Sequence, residues 1–210
     1  MTVAQALAAY LLAAGILTLT PGADTALVLR TATASGPRPA AFAAAGIGLG
    51  CLAWGVIVSL GLGAVLAASE VAFTALKWAG ALYLLWLGVT LVWRPRTALD
   101  AGGAAPSADR DALAALRRGF LSNLLNPKVG VFYITFLPQF VPPGVAVAPF
   151  SFLLAVIHVV MGALWCAVLI AATLPLARVL SRPAVIAGMD RVAGSIFIAF
   201  GLRLALSRQP

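Results

Sequence analysis

Charged residues are scarce in this chain of 210 residues, and acidic residues are the scarcest. Asp, Glu, Lys and Arg together make up 10% of the sequence, whereas 62% of the residues are hydrophobic. A soluble domain typically carries about 25% charged and about 45–50% apolar residues. A soluble fold of this size could not bury so much apolar surface. The composition therefore predicts an all-α integral membrane protein, with residues 1–210 forming one transmembrane domain.

The common sequence signatures of enzymes and nucleotide binding are missing. The chain has no P-loop, no dinucleotide fingerprint, no H-E-x-x-H and no G-x-S-x-G. We therefore predict that it is not an enzyme and holds no cofactor. Without an ATP site, coupling to a proton or ion gradient is expected. A membrane hydrolase built on Ser195 and His158 stays open as an alternative, as does a non-transporting assembly partner.

Metal-ligating side chains are also few. The chain has one histidine, His158, and two cysteines, Cys51 and Cys166, which lie in apolar runs without metal-ligand spacing. We expect free, buried thiols and no metal site. An exporter of a metal or inorganic ion remains the alternative function, although the apolar runs offer only Asp24 besides these three residues. His158 is expected to be either a proton relay or a neutral histidine bonded to a neighbouring carbonyl.

Long apolar runs dominate what is present. A helix that spans a bilayer needs about 20 mainly apolar residues, and six stretches meet this requirement. They run approximately from Gln5 to Ala34, Ala40 to Ala67, Ala72 to Trp93, Gly119 to Val141, Pro149 to Pro175 and Asp190 to Leu206. The first 19 residues contain no Lys or Arg, so the first stretch is expected to be a retained membrane helix, not a secretory signal.

The net charge of +8 comes from basic residues in the gaps between these stretches. Such residues set membrane topology, so we expect no nucleic-acid partner. The basic gaps contain Arg38, the segment from Arg94 to Arg118, and Arg178 with Arg182, whereas the gaps Ala68 to Val71 and Pro142 to Ala148 contain no Lys or Arg. This predicts a multi-pass protein of the cytoplasmic (inner) membrane whose basic gaps face the cytoplasm and whose termini lie outside.

A faint internal repeat relates the two halves of the chain. Lys77-Trp78-Ala79-Gly80 opens the third stretch, and Arg191-Val192-Ala193-Gly194 lies near the start of the sixth. Three helices followed by three place the halves in opposite orientations, as in many secondary transporters. We predict repeat 1 over about 1–93, a cytoplasmic linker over about 94–118 and repeat 2 over about 119–210. Chance similarity between Ala/Gly-rich helices is the alternative explanation.

Proline interrupts the first and fourth stretches, at Pro21 and Pro127, and a charged residue follows each interruption. Proline removes a backbone donor, and backbone groups freed in a membrane must find partners or line a wet cavity. A charge inside the membrane costs at least about 2.5–3.5 kcal/mol, so Asp24 and Lys128 are expected to face a cavity or a partner. Asp24 could accept an ammonium group or a proton, and Lys128 with the second half-helix could hold a carboxylate. The alternatives are simple kinks and mutual neutralisation, Asp24 with Lys128 or with Arg30.

Several motifs resemble those of the lysine exporter family, which includes the homoserine/threonine efflux proteins. The most specific are Leu19-Thr20-Pro21-Gly22-Ala23-Asp24, Ser122-Asn123-Leu124-Leu125-Asn126-Pro127-Lys128 and Leu137-Pro138-Gln139-Phe140, and they occur in the family's order over nearly the whole chain.

The resemblance implies six helices in the inner membrane and secondary-active efflux of amino acids or related small metabolites, driven by the proton motive force. It implies that six residues line the translocation site: Pro21, Gly22, Asp24, Asn126, Pro127 and Lys128. A proton relay would use Asp24 and His158. Ala23 departs from the family's usual Pro-Gly-Pro, which puts the geometry at Asp24 in question. The substrate and a homo-oligomeric state are left open.

Overall fold

Helices make up nearly all of the part of the chain that the structure describes. The structure is a computed structural model, and it describes residues 2–68, 70–98 and 111–206. Within these ranges there are nine α-helices and one 3-10 turn. They are α1 (Val3–Leu19), α2 (Ala23–Ser35), α3 (Pro37–Ala68), α4 (Glu70–Trp93), α5 (Ala112–Leu124), α6 (Pro127–Phe136), the 3-10 turn (Leu137–Phe140), α7 (Val147–Ala171), α8 (Thr173–Leu180) and α9 (Pro183–Leu206). The predicted all-helical class is confirmed.

Three helices in the described ranges are long and apolar enough to cross a membrane alone. These segments are Pro37–Gly61, Val147–Ala171 and Pro183–Leu202. Helices α1 and α2 meet the same criterion as a pair and are bent by 50° at the break between them, which makes a fourth candidate span. Trp78–Trp93 of α4 is a shorter apolar helix. The layout with six spans stays a prediction.

Both predicted interruptions are present, and each separates two helices at a polar turn. Pro21 and Gly22 lie between α1 and α2, so Asp24 falls in the first turn of α2. Leu125 and Asn126 lie between α5 and α6. Pro127 is the first residue of α6, where a missing N–H costs nothing. We call the stretch from Thr20 to Gly22 the first break, and Leu125 with Asn126 the second break.

Several helix boundaries differ from the prediction. Helix α5 begins at Ala112, because the carboxylate of Asp111 accepts a hydrogen bond from the amide of Leu113 and caps it. Arg117 and Arg118 are therefore helical and not part of the linker, whose residues 99–110 lie outside the described ranges. Helix α9 begins at Pro183, seven residues before the predicted start. The predicted fifth stretch extends to Pro175, whereas α7 ends at Ala171 and α8 follows.

Glycines let the long helices cross closely. A Cβ on Gly46 of α3 would lie 2.0 Å from the carbonyl oxygen of Leu116 in α5, and one on Gly119 of α5 would lie 2.0 Å from that of Ala43. A Cβ on Gly194 of α9 would lie 2.6 Å from the carbonyl oxygen of Gly88 in α4. Only residues without a side chain allow backbones this close, as is common between membrane helices.

The outer surface is rich in large apolar side chains, as expected for contact with lipid. Leu12, Leu60, Leu164 and Trp93 are among those exposed by 65% or more of their surface. The main core is aromatic and includes Phe132, Tyr133, Phe136, Phe140 and Phe197. Such a distribution suits a protein whose solvent is hydrocarbon on its sides.

Candidate functional site

A cavity of about 440 Å³ lies beside both breaks. This volume is within the range of about 300–1,000 Å³ that is typical of small-molecule sites. Its walls are mostly apolar and come from α3 and α7, with residues such as Ile47, Leu52, Val159 and Ile170. Its polar lining includes Asp24, Asn123, Asn126, Lys128 and His158. A mostly apolar cavity with a few convergent polar groups is the usual form of a binding site.

Helix α2 places Asp24 at the cavity. The Asp24 Oδ2 accepts a hydrogen bond of 2.8 Å from Asn123 Nδ2, and its Oδ1 is buried without a hydrogen-bond partner in the described part of the chain. Asp24 lies in the first turn of α2, where the positive end of the helix dipole favours a carboxylate. The site therefore offers one carboxylate oxygen that is held and one that is free to accept a hydrogen bond.

Asn123 is a site residue that the sequence reasoning missed. It lies in the last turns of α5, is fully buried and bridges to Asp24 across 99 residues of sequence. Gly50 makes room for it, since a Cβ there would lie 2.6 Å from Asn123 Oδ1. An amide inside an apolar stretch two residues before the second break was an available signal, because buried polar groups need partners.

Helix α6 places Lys128 at the same cavity. Asn126 caps α6 by accepting a hydrogen bond of 3.1 Å from the Lys128 amide. The Lys128 ammonium nitrogen lies 3.9 Å from the position that a Cβ on Gly22 would take, so it sits next to the first break. The side chain of Lys128, which follows the second break, thus places a cation beside the first break.

Asp24 and Lys128 line one cavity without forming an ion pair with each other. Over residues 2–68, 70–98 and 111–206, the recorded ion pair is that of Arg96 with Asp190. Within these ranges neither Lys128 nor Arg30 forms an ion pair with Asp24, although the Lys128 ammonium is near enough to act on that carboxylate through its charge. An anion and a cation that are separate and face a shared space suit the two ends of a zwitterion.

The structure brings four of the six predicted site residues to the cavity. Gly22, Asp24, Asn126 and Lys128 line it. Pro21 lies within the first break, and its carbonyl accepts a hydrogen bond from Arg96. Pro127 begins α6.

His158 also lines the cavity, from the middle of α7. Its Nδ1 lies 3.0 Å from the hydroxyl of Tyr133, so its partner is a phenol and not the backbone carbonyl considered from the sequence. Tyr133 has one proton to donate, and a neutral imidazole with Nδ1 as acceptor satisfies both groups. The structure does not pair His158 with Ser195, whose hydroxyl donates to the carbonyl of Arg191.

Both cysteines line the cavity as free, buried thiols, as the sequence predicted. Trp165 lines it as well, and its indole N–H is buried without a partner in the described ranges. In those ranges no group of three or more His, Cys, Asp or Glu side chains could hold a metal ion. The metal-exporter alternative therefore gains no cluster in the described structure to support it.

These features define a helical membrane protein with a polar site at two helix breaks. The sequence matches the family described as LysE type translocator over residues 15–208. The chain belongs to this family of membrane transporters, and it is a multi-pass protein of the cytoplasmic membrane. The predicted resemblance is confirmed.

Curated relatives match nearly end to end. The chain is 33% identical to a homoserine/homoserine lactone efflux protein of Salmonella typhi, over 95% of this chain and 96% of the relative. It is 30% identical to a leucine efflux protein of Enterobacter sp. (strain 638), over 93% of each. It is 34% identical to an uncharacterized membrane protein of Vibrio cholerae, over 95% of this chain and 96% of the relative. No solved structure matches the chain.

Proposed function

We propose that this chain is a secondary-active exporter that carries amino acids or closely related small metabolites out of the cell, driven by the proton motive force. The observation that carries the proposal is the pair of opposite charges, Asp24 and Lys128, held apart at one cavity. Relatives named for efflux of homoserine, homoserine lactone and leucine support the direction and the substrate class.

The substrate carboxylate binds between Lys128 and the start of α2. Gly22 precedes α2 without a side-chain cap, so the first amides of that helix are available to an anion. The Lys128 ammonium lies on the same side, next to Gly22. The substrate ammonium binds the free Oδ1 of Asp24. The apolar walls contributed by α3 and α7 receive the side chain.

Six spans arranged as two inverted repeats account for the contacts of the described helices. In this layout the spans are α1 with α2, α3, α4, α5 with α6, α7 and α9. Helices α3 and α7 cross in opposite directions, since Gly48 faces Val159 and Gly55 faces Ala155. Helices α4 and α9 do the same, since Gly88 faces Ile198 and Gly201 faces Leu85. Each span of repeat 1 then meets its counterpart in repeat 2, an arrangement that an inverted repeat allows.

Asp24 and His158 carry the coupled proton in this proposal. Both line the cavity that the substrate would occupy. A carboxylate and an imidazole can each take up a proton when substrate leaves and release it when substrate enters. Replacing His158 by glutamine should therefore uncouple export from the pH gradient more than it weakens substrate binding.

A substrate-panel growth test decides the function. The protein is overexpressed in cells exposed to inhibitory amino acids, amino-acid analogues and, as a second group, toxic metal ions. Tolerance to one or more amino acids, with faster efflux of the labelled compound from preloaded cells, supports the proposal. Tolerance that is confined to metal ions contradicts it.

A further inference from the structure

The carbonyl of Pro21 is held by an arginine from the segment that follows α4. Arg96 follows α4, and its Nη2 donates a hydrogen bond of 2.8 Å to the Pro21 carbonyl oxygen. In an uninterrupted helix that carbonyl would bind the amide four residues later. The first break removes this partner, and Arg96 supplies another.

Asp190 of α9 fixes the arginine. Its carboxylate accepts hydrogen bonds of 2.9 Å from both the backbone amide and the Nε of Arg96, and it also pairs with Nη2. Asp190 is fully buried, whereas the Arg96 side chain is 30% exposed. A buried carboxylate with this many bonds from one residue leaves that residue little freedom to move. We call Arg96, Asp190 and the Pro21 carbonyl the Arg96 cluster.

The Arg96 cluster bears on the direction of the Pro21–Gly22 peptide group beside the cavity. The carbonyl of Pro21 and the N–H of Gly22 belong to one planar peptide group and point in opposite directions. With the oxygen held by Arg96, the N–H of Gly22 is turned to the other side, and Gly22 lines the cavity beside the Lys128 ammonium. A rotation of this one peptide would turn the carbonyl oxygen, with its partial negative charge, toward the place where a carboxylate would bind.

We propose that Arg96 and Asp190 are positioning residues of the transport site. They hold the Pro21–Gly22 peptide so that the first amides of α2 and Lys128 together receive the substrate carboxylate. This inference rests on the proposed function for the identity of the ligand, but not for the orientation of the peptide. Arginine is required because its planar fork donates to a carboxylate and a carbonyl at once, which an ammonium group does less well.

The competing explanation is that Arg96 only sets membrane topology. Arg94 is a matched control, because it is exposed, lies two residues away on the same segment and carries the same charge. The test set is Arg96→Gln, Arg96→Lys, Asp190→Asn and the control Arg94→Gln. Breaking a buried pair can destabilise a fold, so Arg96→Met combined with Asp190→Leu is added, which replaces the pair by apolar groups.

The first measurement needs no substrate. Hydrogen exchange of the purified full-length protein in detergent is followed for peptides covering residues 16–28. All four changes at Arg96 or Asp190, including the apolar double variant, should speed exchange at the start of α2, whereas Arg94→Gln should match the parent. Equal exchange in Arg96→Gln and Arg94→Gln overturns the proposal.

The second measurement uses transport of the amino acid found in the panel. Arg96→Gln and Arg96→Lys should raise KM about tenfold, because a misplaced binding group loses most of its contribution, with a smaller effect on the maximal rate. Faster exchange with an unchanged KM overturns the positioning role. If the parent transports no amino acid, the proposed function fails, while exchange still decides whether the Arg96 cluster fixes the peptide.

Discussion

Lys128 is the residue whose role can be separated most cleanly by the choice of ligand. Its ammonium lies next to Gly22, and the structure gives it no direct ion pair with Asp24. We expect Lys128→Gln to raise KM for the transported amino acid by roughly tenfold or more, the cost of losing a hydrogen bond to a charged group.

The matched ligand is the corresponding amine without the carboxylate. Its weak competition for transport should be the same in the parent and in Lys128→Gln, because it has no group that Lys128 would bind. If Lys128→Gln weakens competition by the amine as much as by the amino acid, Lys128 does not bind the carboxylate.

Asn123 and Asp24 form a pair that a double-mutant cycle can measure. Asn123→Ala removes the donor to Asp24 Oδ2 and leaves a buried carboxylate without its partner, which typically costs about 1–3 kcal/mol. In an Asp24→Asn background, where the charge is already gone, the same change should cost clearly less. Thermal unfolding in detergent measures the four proteins, and strictly additive shifts would contradict the coupling.

At the residue scale, the sequence predicted charged residues at the breaks but not their partners. Asp24 and Lys128 were found because a charge in an apolar run is costly. The apolar pattern predicts Asp190 at a helix end, although α9 starts at Pro183 and buries it, and it predicts Arg96 only as a charge that sets topology. Which arginine reaches a buried carboxylate 94 residues away depends on tertiary packing, and no local pattern records it.

Among the helices, close crossings at glycine are the feature most open to test. Gly194 and Gly188 both lie in α9, but a Cβ on Gly194 would lie 2.6 Å from the carbonyl oxygen of Gly88, whereas one on Gly188 meets nothing within 4 Å. Gly194→Ala should destabilise the protein by about 1–3 kcal/mol through overpacking. Gly188→Ala should be neutral or stabilising, since alanine favours a helix by up to about 1 kcal/mol.

Thermal unfolding of both alanine variants in one detergent checks this prediction. The two changes are chemically identical and lie on one helix, so any difference reports the crossing with α4. Equal unfolding temperatures would mean that the α4 and α9 backbones are not this close in the protein.

At the element scale, helices and breaks were predictable, whereas helix ends were less so. Pro21 and Pro127 marked the breaks because proline cannot continue a helix. Asp111 and Pro183 are ordinary helix-start residues. Asp111 lies in a polar stretch, however, and Pro183 directly follows a basic residue, so apolar periodicity does not indicate either helix start. The predicted starts of α5 and α9 are therefore each seven residues later than the observed starts.

At the scale of the whole molecule, the cavity and the aromatic core lie toward opposite ends of the helices. The cavity reaches Ala41, near the start of α3, and Ile170, near the end of α7, so it lies toward one end of this antiparallel pair. By the predicted topology that end faces the cytoplasm. The aromatic core lies toward the other end, where the Tyr10 hydroxyl donates to the carbonyl of Leu154 and the Tyr10 ring meets that of Phe140 edge to face. This arrangement suits a state that receives substrate from inside the cell.

Labelling of the native cysteines tests this orientation. Cys166 lines the cavity, and Cys51→Ser leaves it as the single thiol. A membrane-impermeant thiol reagent should label it several-fold faster in inside-out vesicles than in right-side-out vesicles, and the transported amino acid should slow the reaction. Cys166→Ser in the same background is the control for background labelling. Faster labelling from the outside would contradict both the topology and the assigned state.

The helical membrane class was predictable from hydropathy, but the site was only partly so. Apolar length and basic gaps gave the six-span layout, which stays a prediction beyond the three or four spans seen in the described ranges. The meeting of the two breaks was implied by the family resemblance, which placed residues of both breaks at one translocation site. The size of the cavity and its apolar walls depend on how α3 and α7 pack, which periodicity alone does not reveal.

Transport in proteoliposomes by the parent, Asp24→Asn and Lys128→Gln, with Arg94→Gln as a charge control, tests the central claim most directly. With the amino acid identified by the growth panel, both cavity variants should exchange labelled substrate at less than about a tenth of the parental rate, because each lacks one of the two charged contacts. Arg94→Gln should transport like the parent. Parental rates in both cavity variants would contradict the account that a zwitterion crosses the membrane between Asp24 and Lys128.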